Sequence, residues 1–205
     1  AFIKANYPVA FYAASMSLDY ENTDKLQIFV QDALAHDIKV SAPDINRSDV
    51  MFETGEQEII YALSAIKNVG RQSMIDLVAE RTQNGPYKDI FDFARRVGAV
   101  GINSKLLENL ISSGAFDCLE TDRARLFESV KMLLSEASIA QNERKEGQSN
   151  LFGEEEISES RTLQEVAPWS PVERLTREFD AIGFYLSGHP LDDYRTVLRR
   201  MNVLG

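Results

Sequence analysis

Apolar residues recur along most of this chain with the 3.6-residue period of amphipathic helices. Asn22, a favoured capping residue, precedes one such stripe. Further stripes begin near Arg71, Phe91 and Leu106. We expect Thr121 to cap another, longer helix. The pattern therefore predicts a mainly α chain, built of short helical units that pack like small bundles.

One short region departs from the helical period. Ile38 and Val40 alternate with polar residues, and Pro43 interrupts regular structure after them. Within residues 49–62, two apolar runs then flank a turn at Gly55. This arrangement predicts a small β-ribbon, which separates a first unit of residues 1–48 from the helical pattern that follows.

Apolar residues nearly vanish between residues 141 and 168, where seven Glu outweigh three basic residues. Such a segment buries too little surface to offset the entropy cost of ordering it. We therefore predict a flexible acidic linker over residues 141–168, with one apolar island at Leu151 and Phe152. The helical pattern resumes in the C-terminal segment, residues 169–205.

The net charge of −10 alone argues against a nucleic-acid partner, because phosphates are bound mainly by Lys and Arg. The charge is unevenly distributed, however. Between Ile60 and Val130, nine basic residues balance nine acidic ones, whereas the rest of the chain carries 13 basic against 23 acidic residues. The central segment is thus the part best suited to contact phosphate.

Several kinds of site are not expected. Cys118 is the only cysteine, and His36 and His189 are the only histidines, so neither a disulfide nor a cysteine- or histidine-based metal site is predicted. A lone cysteine fits a reducing, cytoplasmic environment. We find no stretch of 18 apolar residues and no leader pattern, so neither membrane insertion nor secretion is expected. The first residue is not Met, and we expect a piece of a longer polypeptide.

The segment that ends at Gly70, just before the helix beginning at Arg71, has the form of a helix-hairpin-helix turn. Such a turn directs successive backbone amides outward while the next helix presents its positive N-terminus, so it can bind phosphate without contacting a base. An ordinary corner between two helices accounts for the same pattern. The predicted DNA-binding residues here are Ile66, Lys67, Asn68, Val69, Gly70 and Arg71, with Ile66 and Val69 anchoring the turn in the core.

A second helix-turn-helix pattern runs from Ser104 through Gly114 to Arg123. It is the weaker match, because its glycine comes early and no basic residue lies inside the turn. Together the two turns predict a tandem helix-hairpin-helix unit over residues 63–140. Gly114 and Arg123 are the predicted DNA-binding residues of the second turn.

The apolar island of the linker lies in the sequence Gln148-Ser149-Asn150-Leu151-Phe152, which has the Gln-x-x-Leu-Phe form of peptides that bind ring-shaped sliding clamps. An extended peptide of this kind inserts Leu151 and Phe152 into an apolar pocket, while the Gln148 amide fixes the register. The alternative is that Leu151 and Phe152 pack back on their own domain as a latch. We predict Gln148, Leu151 and Phe152 as clamp-binding residues.

Six motifs occur in order across the chain: Tyr7-Pro8 with Phe11, Pro43-Asp44-Ile45-Asn46, Ala65 to Gly70, Gly114-Ala115-Phe116-Asp117, Gln148 to Gly153, and Gly183 to Leu191. Together they resemble the alpha-subunit family of bacterial DNA polymerase III, the C-family replicative polymerases. The family commonly has Gly where this chain has Asn68. Asn tolerates a left-handed backbone better than most residues, so we expect the turn to persist.

The resemblance implies that residues 1–48 end a fingers domain and that residues 63–140 contact duplex DNA behind the polymerase site. It implies that the peptide in the linker binds the sliding clamp, or beta subunit, and that residues 169–205 lead towards an OB-fold. The implied partners are duplex DNA, the clamp and the other subunits of the polymerase holoenzyme.

Nucleotidyl transfer in this family implies Mg²⁺ held by clustered aspartates in the full-length parent. No Asp-x-Asp occurs here, and Asp192-Asp193 follows a proline at an ordinary helix start. We therefore assign no catalytic residue, no metal ligand and no cofactor to this segment. Three alternatives remain: an error-prone alpha-like polymerase, a repair or recombination protein with DNA-binding hairpins, and a purely structural helical module, which predicts no binding to duplex DNA at low salt.

Overall fold

The computed structural model describes residues 2–146, 162–188 and 190–191, and helices account for most of them. The N-terminal part contains α1 (Phe2–Asn6), α2 (Pro8–Leu18) and α3 (Thr23–Ala35), followed by β1 (Lys39–Ser41), β2 (Glu53–Thr54) and β3 (Glu58–Ile60). The remainder contains α4 (Arg71–Asn84), α5 (Ile90–Arg96), α6 (Ser104–Ser113), α7 (Arg123–Glu128), α8 (Val130–Glu146) and α9 (Pro171–Ile182), with 3₁₀ turns at Leu63–Ala65 and Val97–Val100. The predicted mainly α class is confirmed.

The residue types at the starts of α2 and α3 suit these positions. Pro8 occupies the first turn of α2, where its missing N–H removes no helical hydrogen bond. The Asn22 side chain accepts a hydrogen bond from the Lys25 amide at 3.1 Å and so caps α3, as predicted. The buried face of α3 is formed by Leu26, Val30 and Ala33.

The predicted β-ribbon is part of a three-stranded sheet with the order β1-β3-β2. β2 and β3 form an antiparallel hairpin, with Thr54 opposite Ile59 and the Gly55 amide bonded to the Glu58 carbonyl at 2.8 Å. β1 adds to β3 in parallel, with Val40 opposite Ile59. This third strand comes from the first unit of the chain, so the sheet joins residues 39–41 to residues 53–60.

The segment around Ile45 connects the sheet region to the helices. The Ile45 amide donates to the Ala115 carbonyl at 2.7 Å. The Asn46 side chain donates to the Tyr87 carbonyl and accepts from the Tyr87 amide, each at 2.8 Å. Arg81 donates to the Ile45 carbonyl at 2.8 Å. Buried apolar residues from the N-terminal helices, the sheet, the central helices and α9 consequently belong to one core.

Two expectations about the later helices need correction. Asp122, not Thr121, caps α7, because the Asp122 side chain accepts hydrogen bonds from the Ala124 and Arg125 amides. The expected long helix is also interrupted at the fully buried Ser129, which ends α7 just before α8 begins. The Ser129 hydroxyl accepts a hydrogen bond from the Gln164 amide at 2.9 Å, so it binds a returning segment of the chain.

The predicted linker of residues 141–168 is ordered at both of its described ends. α8 continues to Glu146, beyond the expected boundary at residue 140. On the other side, Leu163 is buried in the core beside the Gln164–Ser129 hydrogen bond. The low apolar content of the linker gave no indication that Leu163 would be buried.

Among the residues that the structure describes, no helix is long and apolar enough to cross a membrane.

Candidate nucleic-acid interface

The first predicted hairpin is a tight turn between a single 3₁₀ turn and α4. Leu63–Ala65 forms the 3₁₀ turn, so the element before the hairpin is shorter than the helix that we expected. Ile66 is 2% exposed and Val69 is 8% exposed, which confirms that these two side chains anchor the turn in the core. Lys67 lies half-buried beside them, whereas Arg71 is exposed.

The exposed tip of the turn is formed by Asn68 and Gly70. Asn68 has φ of +59°, the left-handed conformation that we expected an Asn at this position to tolerate. Gly70 has φ of −68°, which any residue can adopt. A Cβ on Gly70 would meet only the Ser73 hydroxyl, at 3.7 Å. The missing side chain of Gly70 therefore leaves open the surface in front of α4.

The backbone amides of the turn fall into two groups. The Lys67 amide donates to the Ala181 carbonyl at 2.8 Å, and the Val69 amide donates to the Ile66 carbonyl at 3.3 Å. For the amides of Asn68, Gly70 and Arg71, the described part of the chain offers no acceptor. Fewer backbone amides are consequently available to bind an anion than the sequence predicted, because two of the turn amides already donate to carbonyl groups.

The N-terminus of α4 carries no side-chain cap, because Gly70 occupies the capping position. The first-turn amides of a helix have no partner within the helix, and the helix dipole makes this end positive. Lys67 and Arg71 flank it, and neither forms an ion pair with a described carboxylate. A phosphate placed there would meet open amides and the exposed Arg71 without removing an acidic partner.

The left-handed backbone at Asn68 gives a test of the turn. Replacing Asn68 with Val should lower the free energy of unfolding by roughly 1–2 kcal/mol, because a β-branched residue is strained at positive φ. Asn68→Gly should be neutral or slightly stabilising, since the side chain is exposed and glycine adopts this φ freely. Denaturant unfolding of both variants is the measurement, and equal stabilities would contradict the left-handed turn.

The second predicted hairpin faces inward, so the structure does not support Gly114 and Arg123 as DNA contacts. Gly114 is buried at φ of +88°, and a Cβ there would lie 2.1 Å from Nη2 of Arg123. Arg123 is 4% exposed. Its guanidinium donates to both Asp117 carboxylate oxygens at 2.7 Å and to the Ser112 carbonyl at 3.0 Å. The positive charge of Arg123 is therefore paired within the protein.

Asp117 and Glu178 are the partners of Arg123 that the sequence did not identify. Oε2 of Glu178 lies 3.6 Å from Nη1 of Arg123, and Glu178 is 2% exposed. Asp117 also pairs with Arg174 of α9 at 3.0 Å. Asp117 ends one of the ordered motifs, which could have drawn attention to it. Glu178 lies in a helix rich in charged residues, and nothing in the sequence distinguishes it.

The clamp-binding prediction for Gln148, Leu151 and Phe152 lies outside the described residues, as does Asp192-Asp193. Among the described residues, no cluster of three or more His, Cys, Asp or Glu could hold a metal ion. Partial burial and a hydrogen bond to Asp44 raise the pKa of the Cys118 thiol to about 11. This thiol is therefore protonated at neutral pH and poorly suited to act as a nucleophile.

Comparisons with known proteins agree with this geometry. Residues 37–126 match the family model described as a helix-hairpin-helix motif, which includes both turns. The whole chain is 46% identical over 204 residues to the DNA polymerase III subunit alpha of Caulobacter vibrioides, covering 18% of that protein. It is also 40% identical over 208 residues to the subunit of the same name from Borreliella burgdorferi, again covering the whole chain and 18% of the relative.

A third relative, the DNA polymerase III subunit alpha of Deinococcus radiodurans, is 41% identical over 95% of the chain and 15% of its own length. The chain thus spans less than a fifth of the length of these relatives. Its similarity to them nevertheless extends along essentially all of its own residues. Over the segment that it represents, this chain belongs to the DNA polymerase III alpha-subunit family.

Proposed function

We propose that this chain is the part of a bacterial replicative DNA polymerase that holds the backbone of duplex DNA. The observation that carries the proposal is the uncapped N-terminus of α4, which lies behind a firmly anchored turn and beside Lys67 and Arg71. Binding there needs only phosphate oxygens as partners. The bound DNA would therefore be held in the same way whatever its sequence, as a polymerase requires of the duplex that it has just made.

The proposal gives each part of the turn a separate role. Ile66 and Val69 fix the turn in the core, the open amides of Asn68 and Gly70 donate hydrogen bonds to a phosphate oxygen, and the two cations add longer-range attraction. Gly70 keeps the approach clear. The buried second turn supports the fold instead of touching DNA.

We further propose that Gln148, Leu151 and Phe152 bind the sliding clamp, the beta subunit of the cytoplasmic polymerase holoenzyme. The support is the Gln-x-x-Leu-Phe sequence and its position in an acidic, apolar-poor segment. A clamp bond turns rebinding to DNA into an intramolecular event at high effective concentration. Modest DNA binding at the hairpin could then sustain long synthesis by the full-length parent. The catalytic aspartates of that parent would hold Mg²⁺ outside this segment.

Duplex binding is tested by fluorescence anisotropy with a labelled blunt duplex over a range of NaCl concentrations. The double variant Lys67→Ala and Arg71→Ala should bind about tenfold more weakly at low salt, and the slope of log K against log[salt] should become shallower by roughly two. The physical reason is that each lost cation leaves about one counterion on the DNA.

The matched control replaces Lys88 and Lys105 with Ala, since both are exposed and lie outside the first hairpin. This control should keep nearly all of the affinity. An affinity that does not change with salt, or an equal loss in both double variants, would contradict backbone binding at the hairpin. It would favour the purely structural module instead.

A further inference from the structure

The C-terminal end of α9 packs directly against the DNA-binding turn. The Ala181 carbonyl accepts the Lys67 amide at 2.8 Å, and Nζ of Lys67 lies 5.9 Å from the centroid of the Phe179 ring. Gly183 follows with φ of +99°, and a Cβ there would be 2.1 Å from Cγ2 of Thr23 and 2.8 Å from Cε of Lys67. The turn is therefore held by a segment more than a hundred residues away in sequence.

The loop after α9 is in turn held by Glu178. Oε1 of Glu178 accepts the amides of Leu186 at 3.1 Å and Ser187 at 2.8 Å. Oε2 accepts the Ser187 hydroxyl at 2.7 Å. These bonds connect the loop to a carboxylate that is itself 2% exposed. Phe184, also 2% exposed, anchors the same loop in the core.

The second turn contacts the same carboxylate through Arg123. Arg123, bound to Asp117 through two hydrogen bonds, places Nη1 3.6 Å from Oε2 of Glu178. Arg174 of α9 also binds Asp117. α9 and its loop thus lie between the two turns, with the first turn bonded at Ala181 and the second at Glu178 and Arg174.

We infer that Glu178 is a positioning residue for the DNA-binding turn, and that the second turn supports the first one through it. This inference rests on the proposed function, in which the turn at Asn68 and Gly70 binds phosphate. Glu178 touches no DNA. Glu178 fixes the position of the loop and of the end of α9. The Ala181 carbonyl at that end then fixes the Lys67 amide, and with it the direction of the open Asn68 amide.

The geometry explains why a buried carboxylate is useful here. An apolar side chain could fill the same space, but it could not accept two amides and a hydroxyl in fixed directions. Small displacements matter at such a site, because a hydrogen bond weakens steeply when its angle and length depart from the optimum. A loosened loop would let Lys67 and the Asn68 amide move away from their binding positions while the core remained folded.

The inference is tested in the 205-residue chain with two variants, Glu178→Gln and the milder Ser187→Ala. Two quantities are measured at a temperature where all proteins are folded: affinity for a blunt duplex, and the ¹H–¹⁵N chemical shifts of Lys67, Asn68 and Gly70. The control is Leu133→Ala, a truncation that lowers stability at a buried position in α8, a helix that packs mainly against α5, α6 and α7.

We expect Glu178→Gln to bind DNA about tenfold more weakly, the equivalent of about 1.4 kcal/mol, and to shift the amides of the turn. Ser187→Ala should have the same effects in weaker form. Leu133→Ala should leave the affinity and the turn shifts unchanged despite its lower stability. Wild-type affinity and unshifted turn amides in Glu178→Gln would overturn the inference.

The two measurements also separate this inference from the function on which it rests. A wild-type chain that fails to bind duplex DNA would refute the proposed function. The chemical shifts would still report whether Glu178 controls the turn, because they are measured without DNA. Normal wild-type binding combined with an unaltered Glu178→Gln variant would refute the positioning role alone.

Discussion

Replacing Arg123 with Met should lower the free energy of unfolding by about 3–5 kcal/mol, because it leaves a buried carboxylate without its counter-charge. Arg123 is 4% exposed, and Glu178, at 2% exposed, has this guanidinium as its nearest cation at 3.6 Å. The substitution also removes the hydrogen bonds to Asp117 and to the Ser112 carbonyl. We expect no direct contact between Arg123 and DNA, because its guanidinium does not reach the surface.

Denaturant unfolding monitored through Trp169, the only tryptophan of the chain, is the measurement. Its ring lies 4.3 Å from the Arg177 guanidinium, which also lies 4.5 Å from Phe127, so its fluorescence reports the docking of α9 against α7. The control is Arg174→Met, which removes the other cation bound to Asp117.

Because the Arg174 side chain is 45% exposed, this control should cost no more than about 1 kcal/mol. Equal losses in the two variants would show that Arg123 behaves as an ordinary surface ion pair. A slope of log K against log[salt] that becomes shallower by roughly one in Arg123→Met, without loss of stability, would return Arg123 to the list of DNA contacts.

Clamp binding should be abolished in the triple variant Gln148→Ala, Leu151→Ala and Phe152→Ala. We expect the unaltered chain to bind a bacterial sliding clamp near the micromolar scale, a free energy of roughly −8 kcal/mol. Small apolar anchors that enter a pocket supply most of such an energy, and alanine at both anchor positions removes them. Calorimetric titration of each protein with the clamp gives the affinity directly.

The sequence offers a matched control in the two central positions of the same peptide. Ser149→Ala with Asn150→Ala changes two polar residues of the same peptide but leaves the glutamine and both apolar anchors in place. This control should bind with nearly the original affinity. If neither the original chain nor the control binds, the peptide is better explained as a latch on its own domain, and the proposal for the hairpin is unaffected.

Local features of the fold could be predicted because their causes are local. Asn22 caps α3 through a side chain three residues from its donor, and the Gly55 turn brings β2 and β3 together over a few residues. Ile66 and Val69 are buried as their spacing predicts. The left-handed backbone of Asn68 also follows from the residue type and its place in the turn.

The remaining features depend on partners far away in the sequence. β1 pairs in parallel with β3, and a parallel pair leaves no turn signal between its strands. Arginine is a residue type that commonly contacts DNA phosphates. Only the neighbours of Arg123, Asp117 and Glu178, show that its charge is paired with carboxylates of the protein itself. A sequence displays the charge of a residue but not the direction in which its side chain points.

The hydrogen bond between the Lys67 amide and the Ala181 carbonyl also has a consequence for the order of folding during synthesis. The two residues are 114 positions apart, and a ribosome adding roughly 5–20 residues per second needs about 6–23 s to cover that distance. During this delay the nascent hairpin lacks the partner that fixes its amides. The chain should therefore become able to bind nucleic acid only after α9 has left the ribosome. This order would prevent an unfinished polypeptide from binding DNA.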